Sequence, residues 1–395
     1  MTDNTDKGLL PAGLSDVLTP DATFESSVLE RLLADFAAHG YDRVNPPLVE
    51  FEDSLLNGIG AGVAEQTFRL MDPESQKMMG IRADMTPQIA RIAARRLSQA
   101  PRPLRLSYAG QVLRVRGSQL RPERQFTQVG AELIGPDEAA ADAEVIVLAA
   151  RALANLGVDD LSIDLGLPKL VAAVSGNAGD NPESEARLRQ ALDRKDAAAV
   201  AELGDDFGED AARTLAAMLN AAGPAIEALE ALGALGLSGE AESGRNLLAD
   251  VVERVRAALP DLAVTIDPVE NRGFEYHTGV TVTFFAKGVR GELGSGGRYM
   301  ANGGDNAGEA ATGFTLFMDT VLRALAPPAP RQRVYLPAGT LVENTARLRA
   351  DGCITVAALS DEKDAAGEAE RLGCSHVLQE GEVVEISKTK AKSKD

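Results

Sequence analysis

Two polar side chains, Gln128 and Glu132, lie four residues apart in a stretch where polar and apolar residues alternate. That alternation predicts a β-strand, in which side chains two and four apart share one face. The neighbouring Val129, Ala131 and Leu133 then point to the opposite face. We expect one face packed on helices and one open, polar face, where a carboxylate beside an amide suits an amine or an imidazole N–H. The alternative is an ordinary half-exposed sheet.

His277 is a second candidate, since it is one of only three histidines in the chain. The residues around it also alternate, so Glu275, His277 and Thr281 are predicted to share a strand face. Its polar neighbours favour a ligand-binding role. The alternative, more frequent for a lone histidine, is a structural residue with satisfied hydrogen bonds.

Two further segments are weaker candidates. Asp84 comes just before a predicted helix at Thr86-Pro87, where the helix dipole and free backbone N–H groups favour a carboxylate. It is either a ligand contact or a helix cap. The glycine-rich segment Gly294–Tyr299 is predicted to hold an anion by its backbone amides, although such clusters are also common in turns.

The predicted secondary structure that positions these residues is mixed. Helical spacing and capping predict helices over 19–40 and from Thr86 to about Leu97. Alternation of polar and apolar residues predicts antiparallel strands between Leu104 and Ile134. Residues of about 165–260 are rich in Ala, Leu, Glu and Asp, which predicts a helical insertion with breaks at 177–182, 204–208, 224 and 236–239. Further predicted elements are strands at Leu262–Asp267 and Tyr276–Phe285 and a long helix at Phe314–Ala326.

The proline-rich stretch after Ala326 predicts a linker between two domains, 1–330 and 331–395. In the second domain we predict a small α/β unit. Its predicted strands are Val334–Leu336, Ile354–Ala358 and His376–Gln379, alternating with helices at Glu343–Ala350 and Glu362–Leu372.

Composition narrows the classes of function. The 395 residues carry 59 acidic and 40 basic side chains, a net charge of −19, which disfavours a nucleic-acid partner. The basic run at Lys388–Lys394 is typical of a solvated end. With no apolar run long enough for a bilayer and no signal-like N-terminus, we expect a cytoplasmic protein without a membrane partner. Cys353 and Cys374 match neither a disulfide framework nor a zinc pattern, so we expect no metal.

Taken in order, these segments resemble histidyl-tRNA synthetase. Gly40–Glu50 is similar to class II motif 1, which builds the dimer interface, and Tyr108–Gly135 is similar to motif 2 and the following strand. Arg82–Thr86 and Arg272–Gly279 are similar to the family's two histidine-binding segments. The resemblance covers about 10–330 and implies an α+β fold, with a class II synthetase-like antiparallel sheet flanked by helices, a helical insertion and a small C-terminal α/β unit.

The resemblance also implies a histidine site. By this resemblance Asp84 and Gln128 correspond to the residues that contact the α-amino group of histidine, and Glu132 and His277 to those that face its imidazole. Arg114 corresponds to the arginine that meets the ATP α-phosphate. Arg272 corresponds to the arginine that promotes histidine activation. The complete set of predicted histidine-binding residues is Asp84, Thr86, Arg114, Gln128, Glu132, Arg272, Tyr276 and His277.

The nucleotide side departs from the synthetase pattern. Arg116 replaces the glutamate that reads adenine, Pro122 replaces a nucleotide-binding arginine, and Thr320 replaces the motif 3 arginine that lies against ATP. A hydroxyl cannot supply the planar, permanent charge of a guanidinium. We therefore predict no catalytic residues and no cofactor.

This combination, together with the short C-terminal unit, resembles the regulatory subunits of ATP phosphoribosyltransferase, the first enzyme of histidine biosynthesis. That resemblance implies a self-dimer that joins a short-form catalytic subunit in a hetero-octamer. It also implies that the catalytic subunit needs the chain for activity and that histidine is the feedback effector. No tRNA partner is expected. The alternatives are an active histidyl-tRNA synthetase and another class II paralogue that binds an amino acid or modifies a protein.

Overall fold

The computed structural model describes residues 9–118, 121–176, 181–270, 276–301 and 308–386. The chain divides into two compact units between Ala326 and Pro327. In the described residues, no helix is both long enough and apolar enough to span a bilayer.

A nine-stranded sheet organises the first unit. Its strands are β1 (Asp42–Arg43), β5 (Leu104–Leu113), β6 (Gln125–Ile134), β7 (Leu161–Gly166), β8 (Gly223–Pro224), β9 (Ala263–Asp267), β10 (His277–Ala286), β11 (Gly294–Ala301) and β12 (Glu309–Phe317). They lie in the order β1-β5-β6-β12-β11-β10-β7-β9-β8. The pairs β1–β5 and β7–β9 are parallel, and the other pairs are antiparallel. The predicted α+β class is confirmed.

Helices α1 (Asp21–Ala38) and α4 (Ala139–Leu156) pack on one face of this sheet. The predicted apolar stripe of α1 is buried at Val28, Leu32 and Phe36, and Phe36 meets Phe314 of β12 edge to face, with ring centroids 5.5 Å apart. This core therefore holds the central strands in place beneath the candidate residues of β6.

The helical insertion is confirmed between β7 and β9. It contains α5 (Pro168–Ser175), α6 (Pro182–Asp193), α7 (Ala197–Ala201), α8 (Gly204–Phe207), α9 (Glu209–Asn220), α10 (Ala225–Ala234) and α11 (Gly239–Ala258). The predicted break at 204–208 was wrong, because α8 forms there. Helix α8 is followed by Gly208, whose φ of 88° lies in the left-handed region that favours glycine.

A second, three-stranded sheet follows α1. Its strands β2 (Val49–Phe51), β3 (Phe68–Met71) and β4 (Met78–Ile81) lie in the order β2-β4-β3. Helix α2 (Glu52–Leu55) and a 3-10 helix, Gly58–Gln66, connect β2 to β3. The predicted helix from Thr86 is confirmed as α3 (Thr86–Arg91), continued by a π-helical turn over Ile92–Arg96.

Two predictions near the centre of the large sheet were wrong. Phe314 lies in strand β12, and helix α12 (Met318–Ala324) begins only afterwards. Because β12 lies between β6 and β11 and both of its faces are covered, the residues of Ala311–Phe317 are buried in succession, and polar and apolar types show no period of two. The segment Gly294–Tyr299 is strand β11, so its amides belong to the sheet and are not an anion-binding turn.

The second unit is a four-stranded sheet of order β14-β13-β15-β16. Its elements are β13 (Arg333–Leu336), α13 (Val342–Ala350), β14 (Ile354–Ala357), α14 (Ala365–Arg371), β15 (His376–Gln379) and β16 (Glu382–Glu385). Leu348 of α13 and Ala369 of α14 belong to separate apolar clusters, so the two helices cover opposite faces. Strand β16 was not predicted.

Candidate functional site

Glu132 lies at the centre of the candidate site, on β6 in the middle of the large sheet. Its side chain is buried, with 1% of the residue exposed. Gly313 of β12 is paired directly opposite, and a Cβ there would lie 1.9 Å from Glu132 Oε2. The carboxylate therefore fits into the sheet only because its cross-strand neighbour has no side chain.

Two buried tyrosines from neighbouring strands hold this carboxylate. Tyr299 Oη of β11 donates to Glu132 Oε2 at 3.0 Å, and Tyr108 Oη of β5 lies 3.3 Å from Glu132 Oε1. Tyr108 Oη is also 2.7 Å from Thr315 Oγ1 of β12. A Cβ at Gly130, opposite Tyr108, would lie 2.5 Å from that hydroxyl.

The pKa of Glu132 is raised to about 8, mainly by burial and also by the negative charge of Asp84. The tyrosine hydrogen bonds act in the opposite direction, because they favour the charged form. At neutral pH the carboxyl group therefore retains a proton, or binds a ligand that brings a proton or positive charge. Burial likewise raises the pKa values of Tyr108 and Tyr299 well above 10, so both remain donors.

Asp84 is fixed beside this network in the loop before α3. Its Oδ1 accepts from the Thr86 backbone N–H at 2.9 Å, and its Oδ2 accepts from Gln128 Nε2 at 2.9 Å. Gln128 in turn accepts from the Met85 backbone N–H at 3.0 Å. Asp84 thus binds the first backbone N–H of the helix, although Met85 occupies the N-cap position, and it also lies against the predicted amide of β6. Its role as a ligand contact stays a prediction.

Thr86 connects the loop to the tyrosines, since its Oγ1 lies 3.4 Å from Tyr108 Oη. The loop and strands β5, β6, β11 and β12 therefore share one hydrogen-bonded network, in which Thr86, Tyr108 and Glu132 are all buried. The structure brings together four of the predicted residues here, Asp84, Thr86, Gln128 and Glu132.

His277 and Tyr276 border the same network. His277 pairs with Tyr299 across β10 and β11, and its ring lies 4.1 Å from that of Tyr276. Tyr276 also meets Tyr299 edge to face, with ring centroids 6.1 Å apart. His277 is buried, whereas Tyr276 is 38% exposed at the rim. Gly297 makes room for the imidazole, because a Cβ there would lie 2.9 Å from its Cδ2.

Arg114 lies at the end of the site beyond Asp84. Its Nε donates to the Ala83 carbonyl at 3.3 Å, and its guanidinium lies 5.1 Å from the centre of the Phe126 ring. Burial lowers the pKa of Arg114, and the negative charge of Asp84 partly offsets this. The remaining predicted residue, Arg272, lies outside the described residues.

The prediction of an open polar face on β6 was wrong, since Gln128 and Glu132 are both buried. The loop before α3 covers that face, which no local pattern in β6 reveals. Sequence reasoning also missed Tyr108, Tyr299 and Thr315, because cross-strand pairing brings them together over long sequence distances. Glycines within strands, here Gly130, Gly297 and Gly313, are the signal that could have indicated closely approaching side chains.

The predicted departures lie next to the site. Thr320 is buried at the third residue of α12 and accepts from Arg121 Nη2 at 3.2 Å. Arg116 is exposed and contacts Gln66 through its backbone N–H. In the described parts of the chain, no three His, Cys, Asp or Glu side chains are close enough together to hold a metal ion.

The chain matches known proteins over nearly its whole length. The family model of histidyl-tRNA synthetase matches residues 13–321. The ATP phosphoribosyltransferase regulatory subunit of Paramagnetospirillum magneticum is 57% identical over 386 residues, covering 98% of this chain and 100% of the relative. The protein of the same name from Rhodospirillum centenum is 55% identical, covering 96% of each chain.

Solved structures agree on the fold. An ATP phosphoribosyltransferase regulatory subunit/histidyl-tRNA synthetase from Bacillus halodurans superposes with a TM-score of 0.79 at 25% identity, covering 92% of this chain and 96% of the other. Histidyl-tRNA synthetase from Nostoc superposes with a TM-score of 0.75 at 19% identity, covering 94% and 91%. The predicted class II synthetase-like fold is confirmed.

Proposed function

Since the chain belongs to the family of ATP phosphoribosyltransferase regulatory subunits, built on the histidyl-tRNA synthetase fold, we propose that it is the non-catalytic subunit of that enzyme. In this proposal a short-form catalytic subunit needs the chain for activity, and histidine inhibits the complex by binding to the chain. The complex is cytoplasmic and a hetero-octamer, and tRNA is not a partner.

One observation carries the histidine proposal, the buried Glu132 carboxyl group held by Tyr108 and Tyr299. An imidazole can bring a proton and can donate an N–H hydrogen bond. Both properties match the buried Glu132 carboxyl group, which is either uncharged or needs a cation beside it. Asp84 lies on the same network through Gln128, and a carboxylate there suits the α-amino group.

The remaining groups fit the rest of an amino acid. We assign the histidine carboxylate to Arg114, whose guanidinium bonds to the Ala83 carbonyl and interacts electrostatically with Asp84. Tyr276 and His277 form the aromatic rim beside the imidazole. Arg272 remains part of the proposed set by its position in the sequence. We assign no residue a role in phosphoribosyl transfer.

We also propose that the chain dimerises, since β2 continues directly from the segment that resembles motif 1. Directly paired residues put six apolar side chains on one face of the three-stranded sheet, which we term the outer face. The centre of the opposite face packs inward, because a Cβ at Gly80 would meet Leu55 at 2.8 Å, whereas Met71 and Met78 at the end of that face are exposed. The outer face consists of Val49, Phe51, Phe68, Leu70, Met79 and Ile81, all partly or well exposed.

The regulatory proposal is tested by the rate of phosphoribosyl-ATP formation by the cognate short catalytic subunit, with and without this chain. We expect activity only with the chain, and a decline as histidine is added. Glu132→Ala should retain activation but lose inhibition, whereas Glu230→Ala, an exposed glutamate on α10, should behave as wild type. Activity that does not depend on the chain would contradict the proposal.

An active synthetase is the rival function. It predicts histidine-dependent exchange between pyrophosphate and ATP. Thr320 and Arg116 disfavour synthetase activity, because neither side chain can supply the group that a synthetase uses at that position. Measurable exchange by the purified chain would favour the rival.

A further inference from the structure

Arg121, in the loop between β5 and β6, is an arginine with only 7% of its surface exposed. Its guanidinium lies 3.9 Å from the centre of the Phe317 ring and 5.0 Å from that of Phe126. The two rings meet edge to face with centroids 6.0 Å apart. The flat cation therefore occupies an aromatic slot.

Polar groups on the remaining sides complete the environment of this cation. Arg121 Nε donates to Asp319 Oδ2 at 3.1 Å, and Nη1 lies 3.4 Å from Glu292 Oε1. Nη2 donates to Thr320 Oγ1. Asp319 has a second, longer contact with Arg323 at 3.5 Å. A buried arginine with two carboxylates, a hydroxyl and two rings is fixed in position, because removing it would take the nearest cation from the largely buried Asp319.

The slot adjoins the proposed histidine site. The guanidinium groups of Arg121 and Arg114 both lie close to the Phe126 ring, that of Arg114 at 5.1 Å from its centre. Arg114 also donates a hydrogen bond to the loop that contains Asp84. Aromatic faces next to an arginine form a surface that suits a flat base followed by a phosphate. Thr320, at the position where the synthetase pattern has its ATP-side arginine, contacts the cation that fills this surface.

We infer that Arg121 determines the specificity of this site by occupying the place of a nucleotide base, so that the chain binds an amino acid but no nucleotide. A base could enter only by displacing the guanidinium, which would take its cation from Glu292 and leave Asp319 with only the longer contact to Arg323. A triphosphate would then bring further negative charge towards those carboxylates. The histidine half of this inference rests on the proposed function, whereas the exclusion of nucleotides does not.

The test is calorimetric titration of the full-length chain with adenosine, a neutral probe that avoids repulsion by Asp319 and Glu292. Wild type should show no saturable binding, whereas Arg121→Ala should bind with a Kd at least about tenfold below the highest adenosine concentration tested, as expected for one base stacked on an aromatic ring. Arg254→Ala, which removes an exposed arginine on α11, is the matched control and should resemble wild type.

Arg121→Ala leaves two carboxylates without their cation, so a second variant, Arg121→Ala combined with Asp319→Asn, guards against misfolding. Circular dichroism and thermal melting establish that each variant is folded. Adenosine binding by wild type, or by neither folded variant, would overturn the inference. Histidine titration of the same samples is a separate measurement, so absence of histidine binding by wild type would contradict the proposed function and leave the nucleotide result standing.

Discussion

Glu132 and Gly313 face each other across β6 and β12, and the carboxylate of the first occupies the space that a side chain on the second would need. The site therefore depends on an absent side chain as much as on a present one. This relationship, together with the tyrosines on β5 and β11, lets a central strand carry a buried acid.

Gly313→Ala should therefore weaken histidine inhibition and destabilise the fold. The new Cβ would lie 2.6 Å from the Ala131 carbonyl oxygen as well as against Glu132, so movement of the carboxylate alone cannot relieve the clash. We expect a loss of about 1–3 kcal/mol in the free energy of unfolding, typical of overpacking. Urea unfolding measures it, with Gly62→Ala as the control because nothing lies within 4 Å of its Cβ. Equal stabilities would contradict the prediction.

The pKa of Glu132 predicts a pH-dependent stability. It is about 8 in the folded chain against an ordinary value of 4.5, so between these values the folded state binds a proton that the unfolded state lacks. Stability contributed by this group is consequently highest below about pH 4.5, falls by at most about 1.4 kcal/mol per pH unit, and levels off above pH 8.

Glu132→Gln removes this titration. Unfolding free energies of wild type and variant, measured at pH 5.5 and 8.5, should show wild type losing stability relative to the variant at the higher pH. Parallel changes in the two proteins would show that the Glu132 carboxyl is already ionised in the folded state.

Arg298 is another buried cation near the site. It is 4% exposed and bonds to Asp142 through Nε and Nη2 at 3.1 and 3.0 Å. It also reaches Asp137 and the carbonyls of Pro136 and Glu138. Arg298→Met should cost about 3–5 kcal/mol of unfolding free energy, because Asp142 would stay buried without its cation.

The matched control is Arg254→Met, which breaks an exposed pair with Asp250 one helical turn away. Since exposed pairs contribute little, we expect a change of about 0.5 kcal/mol or less by the same denaturant titration. A comparable loss in both variants would mean that burial does not set the contribution of Arg298.

Dimerisation through the outer face predicts that a charge placed there separates the protomers. Leu70→Glu puts a carboxylate on that face beside Met79, where a desolvated charge without a partner is costly. Sedimentation velocity should show a dimer for wild type and a monomer for the variant. Leu359→Glu, at a fully exposed leucine of the second unit, should remain dimeric. A dimer in both variants would exclude this face.

Much of the architecture follows from local sequence patterns. The periodicity of four in α1 arises because one face of the helix lies against the core. Strand β6 is buried on both faces, and its alternation separates the apolar residues that pack on the helices from Gln128 and Glu132. The structure confirms α1, β5 and β6. Strand β12 was mistaken for a helix because it is covered on both faces, so its sequence lacks the alternation that distinguishes strands from helices.

The sequence by itself determined which polar side chains are candidates for the site, since Asp84, Thr86, Gln128 and Glu132 were predicted by type, spacing and resemblance and lie in one hydrogen-bonded network. Only the tertiary structure decided that Glu132 is buried and held by Tyr108 and Tyr299, because these contacts join strands far apart in sequence. The same holds for Arg121, whose partners come from β6, β12, α12 and the turn before β11. Local propensity specifies each strand, but the environment of a charge depends on every element packed around it.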